Sequence, residues 1–592
     1  MVYCGKPSRG CQMCRTRRIK CDETKPTCNQ CAKSRRQCPG YKDEFDLVFR
    51  NETQATERRA KKANMKAMAL KMGKEGIELI NSPNETPSSA KTNSPVSPIQ
   101  LPPEQQASCH FISNFVLLPR QGTTRGFMEY LIPMLKQHKQ TTHFKLAFDA
   151  CALASLGNRV GTGCDFENQA LTKYTKALSA TYGALQDPEM AKQDSTLAAI
   201  LLLGLFENIS AKQLGTLAWG SHTEGAVQLV KARGRKQLRT KVGLMLFIAV
   251  RTQMIIHTLS SGKAPAMGVE WWMNDAVKDS NAADCQRLSI RVGEVRAEVN
   301  RLLTALPRSP ENVEVMFEML RNCQGLDQEC AQWVRDLPSA YDWHTVAWED
   351  QPPPDGDYSR AETYPGRVDA YQDLYIVSVW NMMRASRIIL ASLIVRTVAW
   401  ICAPLDYRTT PEYATSARTC TEAIADIIAS VPYQLGYFSN RKHLLDGVNL
   451  SSYGCGDEDA LKGLPGYFLT WPLTCIYGQD YTLDSQRAWV RGRLEFIGNQ
   501  LGVRYAHILA KLNLRIPSML IRRDGLMAKP YSAAPNFVKL ISQANATETL
   551  EERYRGAMEQ SAKPAVAEAQ SVDQPISKDG VQTSYRPLHT TL

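Results

Sequence analysis

Six cysteines fall within the stretch CQMCRTRRIKCDETKPTCNQCAKSRRQC: Cys11, Cys14, Cys21, Cys28, Cys31 and Cys38. Their spacing is C-x2-C-x6-C-x6-C-x2-C-x6-C without deviation. A C-x2-C pair turns two thiolates toward one metal at the start of a helical turn. A following x6 gap carries the chain through a short helix and returns a third ligand. The pattern occurs twice, led once by Cys11 and once by Cys28. Tetrahedral Zn²⁺ takes four ligands, with sulfur at about 2.3 Å. Six thiolates serve two such ions only if two sulfurs are shared, and the repeat makes Cys11 and Cys28 the natural bridges. One ion then takes Cys11, Cys14, Cys21 and Cys28; the other takes Cys11, Cys28, Cys31 and Cys38.

A disulfide scaffold, a single zinc site with spare cysteines and an iron–sulfur cluster are the competing uses of such thiols. The chain has 17 cysteines, an odd number, and those outside the block show no tight spacing. Its opening MVYCGKPSRG is too polar for a secretory signal, so a reducing compartment with few disulfides is expected. Six evenly paired cysteines also fail to match the common iron–sulfur spacings.

The positive charge sits beside the cysteines. Residues 1–80 hold 19 Lys and Arg against 9 Asp and Glu, whereas residues 81–592 hold 52 against 50. Polyanion binding is therefore a local property of the N-terminal part. Arg15, Arg17, Arg18 and Lys20 lie in the first half of the block, and Lys33, Arg35 and Arg36 in the second.

At 592 residues the chain exceeds the roughly 250–300 residues at which a single core stops growing. Residues 1–40 are the cysteine block. Residues 41–80 form a basic arm rich in helix formers, including ERRAKK. Residues 81–108 contain six Pro and six Ser with few large apolar side chains, the composition of a disordered linker. From 109 to about 545 the pattern is helical, and the tail 546–592 is again poor in large apolar residues. FKLAFDACALASLGN predicts a helix over 144–158. Leu171, Tyr174, Leu178, Tyr182 and Leu185 predict a stripe on a helix over 168–186. A helix starting at Asp194 or Ser195 and one ending at Gly234 follow. RIILASLIVRTVAWIC, interrupted by Arg396, reads as a buried helix, and no membrane span is expected. No alternating strand pattern stands out, so this region is expected to be all-α. The Pro-rich stretch near Pro352–Pro354 is expected to join two helical blocks, with a subdivision near 350–366.

The cysteine block resembles the binuclear zinc cluster of fungal transcription factors. CRTRRIKC is similar to that family's basic first helix, and Pro26 in CDETKPTC to the proline of its inter-helix loop. The resemblance implies two Zn²⁺ ions holding a small two-helix Zn2Cys6 module, with the first helix directed into the major groove of double-stranded DNA at CGG triplets. Arg18 would then contact bases and Arg17 the helix end nearest them, while Arg15 and Lys20 would hold phosphates. Bidentate Arg contact with guanine O6 and N7 is the physical basis of such reading, and phosphate contacts set register. Relatives dimerise through a short coiled coil after the module. The corresponding seam, Met65, Met68 or Ala69, and Met72, stops at Gly73, so an exposed basic arm is the better reading and a homodimer stays open.

GFMEYLIPML, ALASLGN, ALTKYTKALSATYGALQDP, STLAAILLLGLFE and WGSHTEGAVQLVKARG are similar, in order, to the fungal-specific regulatory domain of ascomycete zinc-cluster factors. The expected architecture is a metal-stabilised two-helix module, a flexible linker and a large all-α regulatory domain. The expected function is nuclear: a sequence-specific regulator of RNA polymerase II genes, meeting DNA and the transcription machinery, with metabolic or secondary-metabolite genes as implied targets. A nuclear scaffold anchored by the cluster and an enzyme with an appended DNA-binding module are the rivals. No H-E-x-x-H, P-loop or G-x-S-x-G is present, which speaks against an enzyme. His222 in SHTEG is expected to be a structural histidine, and Trp271, Trp272 and Trp343 to be core.

Overall fold

The computed structural model describes residues 11–24, 27–39, 101–119, 125–137, 140–160, 165–211, 219–273, 280–403, 405–445, 451–456, 461–527, 549–552 and 554–555. The basic arm over 41–80, the linker before residue 101 and nearly all of the tail over 546–592 lie outside these residues.

Two short helices, α1 (Gln12–Thr16) and α2 (Asn29–Lys33), belong to the cysteine block. The larger body is built on α3 (Pro103–Phe115), α4 (Thr142–Gly157), α5 (Phe166–Gln186), α6 (Asp194–Ser210), α7 (Trp219–Arg233) and α8 (Lys241–Ser261). It continues with α9 (Ser280–Ala305), α10 (Pro310–Arg335), α11 (Leu374–Cys402), α12 (Pro411–Gln434), α13 (Gly463–Tyr477) and α14 (Asp484–Asn499). Shorter helical turns link them.

Helix α3 begins at Pro103, inside the segment read as linker. Proline at the first helical turn loses no hydrogen bond, and Glu104, Gln105 and Gln106 favour continuation. Helix α11 is buried on nearly every side and is the axis of the body. The helices α9, α10, α12 and α13 all pack on it, which is where so largely apolar a helix must sit. Arg396 is 2% exposed in its interior. On α5 the buried face is Phe166, Ala170, Tyr174, Ala177, Thr181, Ala184 and Leu185; of the expected stripe Tyr174 and Leu185 are buried, Leu171 and Leu178 partly so, and Tyr182 is exposed. The core face is thus completed by alanines, which let α5 approach α4 closely. Gly234 ends α7 with φ +63, the left-handed turn a glycine C-cap supplies.

The expected helical region is borne out, with two short antiparallel strand pairs added to it. Strand β1 (Leu117–Pro119) pairs with β4 (Ser451–Tyr453), and β2 (Trp343–Glu349) with β3 (Gly366–Tyr371). In the second pair Trp343 lies opposite Tyr371 and Glu349 opposite Gly366, with a register shift between Thr345 and Ala347. That shift breaks the period-2 burial that would have marked β2 as a strand. The Pro-rich stretch therefore closes a hairpin. Helices α9 and α10 before it pack directly on α11 after it.

Gly492, inside α14, passes the backbone of Ser359 so closely that a Cβ would collide with its carbonyl oxygen. Alanine is intrinsically the better helix residue by about 1 kcal/mol, but forcing backbone apart costs typically about 1–3 kcal/mol. Gly492→Ala is therefore expected to lower the urea midpoint of the helical body; a raised midpoint would contradict this packing.

Candidate metal centre and nucleic-acid interface

The cysteine block has almost no apolar core of its own. Its buried cluster is Cys11, Cys14, Cys28 and Cys31, with Met13, Cys21 and Cys38 packed against them. The two halves fold alike because the local sequence repeats. Cys28 caps α2, its Sγ accepting from the Cys31 N–H at 3.3 Å, and the Cys14 N–H likewise donates to Cys11 Sγ at 3.4 Å. Each helix then stops in the same way. Ile19 N–H donates to Cys14 C=O at 3.1 Å and Arg36 N–H to Cys31 C=O at 3.0 Å. Arg18 and Arg35 sit in the left-handed region at the two helix ends, with φ 54° and 51°.

The sulfurs converge. Sγ atoms of Cys11, Cys14, Cys21 and Cys28 lie within 4.8 Å of one another, as do those of Cys11, Cys28, Cys31 and Cys38. Cys11 and Cys28 belong to both sets. The separations Cys11–Cys28, Cys11–Cys31 and Cys14–Cys28 are 3.7, 3.7 and 3.6 Å. A tetrahedron with arms of about 2.3 Å has edges of about 3.8 Å, so these are the spacings of thiolates around zinc. Burial, then the neighbouring sulfurs, pushes the thiols of Cys14 and Cys31 up, the latter to about 12. For Cys21 burial acts in the same direction, but hydrogen bonds from the Cys11 and Glu23 backbone draw it down to about 7. A cluster of thiols held this close ionises fully only around a cation, so metal binding and proton release go together.

The basic residues divide by position. Arg17 Nη1 donates to Ser34 Oγ at 3.2 Å and ties the first half to the second. Arg18 and Lys20 are exposed just past α1. Arg15 lies within α1, and its side chain is outside the described part of the structure. Ser34 as the partner of Arg17 had no signal in the sequence. The matching conformation of Arg18 and Arg35 did, since each lies seven residues after the leading cysteine of its half.

In the helical body His222 is partly buried, 3.4 Å from the Tyr174 hydroxyl, and desolvation pushes its imidazole down to about 4. Glu224 is engaged by His257 and Lys263, which hold it down at about 2. Trp271 and Trp272 pack on Phe247 with ring centroids 5.9 and 5.4 Å away. Trp343 lies against Trp380 and under the guanidinium of Arg367.

Residues 9–46 match the family described as the fungal Zn(2)-Cys(6) binuclear cluster domain, and residues 109–320 match the fungal specific transcription factor domain. The transcription factor dbaG of Emericella nidulans is 22% identical over 422 residues, covering 69% of this chain and 91% of that protein. Other relatives match over the cysteine block alone. The white-opaque regulator 2 of Candida albicans is 51% identical over 47 residues, 8% of this chain and 10% of that protein. The lysine biosynthesis regulatory protein LYS14 of Saccharomyces cerevisiae is 69% identical over 29 residues, 5% and 4% of the two chains. No solved structure matches. Six cysteines with zinc-compatible spacing and a following helical regulatory region thus meet two family matches in the same order. The chain carries a fungal Zn(2)-Cys(6) binuclear cluster domain followed by a fungal specific transcription factor domain; these matches point to a DNA-binding transcriptional regulator rather than an enzyme, with a pair of zinc ions as its cofactor.

Proposed function

We propose that the protein regulates RNA polymerase II genes in the nucleus by reading CGG-type triplets in the major groove. Cys11 and Cys28 bridge the two zinc ions, and Arg18 makes the base contact. The observation that carries this reading is the conformation of Arg18. A non-glycine residue in the left-handed region costs about 1 kcal/mol, and here it places an exposed guanidinium directly beyond the end of α1. Arg15 and Lys20 hold phosphates, and Arg17 fixes the helix end through Ser34. Named relatives regulate lysine biosynthesis and the aspercryptin biosynthesis cluster. Those names support metabolic or secondary-metabolite genes as targets. The transcription machinery, and on a two-triplet site a second copy of the chain, complete the set of partners.

Deleting residues 1–40 is expected to abolish promoter occupancy, measured by chromatin immunoprecipitation, while the helical body stays folded. Occupancy that survives the deletion would instead favour recruitment through the helical body, as in a scaffold.

A further inference from the structure

The helical body holds a partly open cavity of about 500 Å³, within the roughly 300–1,000 Å³ of small-molecule sites. Protein interiors hold few voids larger than a water molecule, so a void of this size needs an explanation. Helices α6, α8, α9, α11 and α13 all contribute residues to its lining. The clearest sign is on α8. This helix is long and apolar enough to cross a membrane, as is α11, yet only 50% of its apolar window is buried, against 94% for α11. Ile248, Ala249 and Ile256, among the half-exposed apolar residues of α8, line the cavity. Their accessible surface faces inward. Trp471 of α13 joins them, and its indole Nε1–H is buried with no acceptor among the described residues.

One end of the cavity is cationic. Arg396 of α11 and Arg296 of α9 both line it. Arg396 donates to Asn300 Oδ1 at 2.7 Å and to Asp524 Oδ2 at 2.8 Å, and its Nε is buried without a partner among the described residues. Arg296, one turn before Asn300, donates to the carbonyls of Leu259 and Ser260 at the end of α8. Asp524 is shared with Arg523 as well. A helix C-terminus offers about half a negative charge. One carboxylate and that partial charge do not balance these guanidiniums. Burial pushes both Arg296 and Arg396 below the usual guanidinium range, and their mutual repulsion adds to this for Arg296. An anion seated between them would relieve that repulsion and satisfy the unmet donors.

We propose that this cavity binds an apolar monocarboxylic acid of drug-like size, its carboxylate at Arg296 and Arg396 and its hydrocarbon or aromatic body along α8 and Trp471. The site lies in the helical body and does not depend on the DNA reading, so either can fail alone.

The test is calorimetric titration of the zinc-loaded, full-length chain with dodecanoate and with 1-pyrenebutyrate, beside dodecan-1-ol. At least one acid is expected to saturate one site about tenfold more tightly than the alcohol, the factor that a charge-assisted hydrogen bond supplies. Arg296→Met is expected to erase that preference and Arg296→Lys to keep most of it. Ala249→Phe, which fills the cavity from α8, is expected to weaken acid and alcohol alike. Ile256→Trp does the same should the first variant not fold. Equal affinity for acid and alcohol would overturn the anionic end. Acid binding that survives both filling variants would overturn the location. Absence of saturable binding by both acids would overturn the proposal.

Discussion

Cys28→Ala is expected to strip both zinc ions from the chain and abolish DNA binding. Cys28 Sγ is a member of both sets of four sulfurs, so its loss takes a ligand from each ion at once. Structural zinc contributes about 10–16 kcal/mol of apparent folding free energy in small zinc domains. Among the described residues the block's buried core is four cysteines with only the partly buried Met13, Cys21 and Cys38 packed on them, too little to replace that energy. Cys38→Ala is the comparison, because Cys38 belongs to one set only. It is expected to cost one ion first. Cys28 also caps α2 through the Cys31 N–H, so Cys28→Ser separates the roles: the hydroxyl can cap, and zinc is still lost. Zinc counted by atomic emission decides the matter, and two ions retained in the Cys28→Ala chain would disprove the bridge. The thermal transition of the helical body should stay where it was in all three variants.

The second large effect is at Arg18. Arg18→Gly is expected to weaken binding to a CGG duplex by about 1–3 kcal/mol, the discrimination carried by one bidentate arginine–guanine pair. Binding to a random duplex at the same salt should hardly change, since non-specific affinity is set by phosphate neutralisation and depends steeply on salt. Glycine also relieves the left-handed strain at φ 54°. The module should therefore become more stable by about 1 kcal/mol while it reads DNA worse. Loss of reading with gain of stability cannot be mistaken for unfolding. Arg35 has the same conformation in the other half, with φ 51°. Arg35→Gly is expected to bring the stability without the loss. Equal losses on both duplexes for Arg18→Gly would move this residue to the phosphates.

What could be read from the sequence was whatever is encoded locally. Two C-x2-C-x6-C units fixed the cofactor because metal geometry tolerates few spacings. The largely apolar run of α11, interrupted by Arg396, announced a buried helix, and Gly234 a helix end. Long-range or subtractive features stayed hidden. β1 and β4 are three residues each and pair across more than half the chain. The shift between Thr345 and Ala347 erased the alternation of β2. The core face of α5 takes in Tyr174 and Leu185 of the large-residue stripe but is completed by alanines, which carry little hydrophobic signal, while Tyr182 is exposed. The cavity is a space between helices, and no single helix encodes a space. Its one trace in the sequence is α8, an apolar helix with more apolar surface than its neighbours cover. Arg296 and Arg396 lie on different helices, one held by the end of α8 and the other by Asn300.

The most direct test of the central claim is selection of random duplex DNA by the zinc-loaded, full-length chain. Enrichment of a CGG triplet, lost with Arg18→Gly and kept with Arg35→Gly, is the predicted result; two triplets at fixed spacing would add a dimer. Failure to enrich any sequence while two zinc ions remain bound would contradict the account.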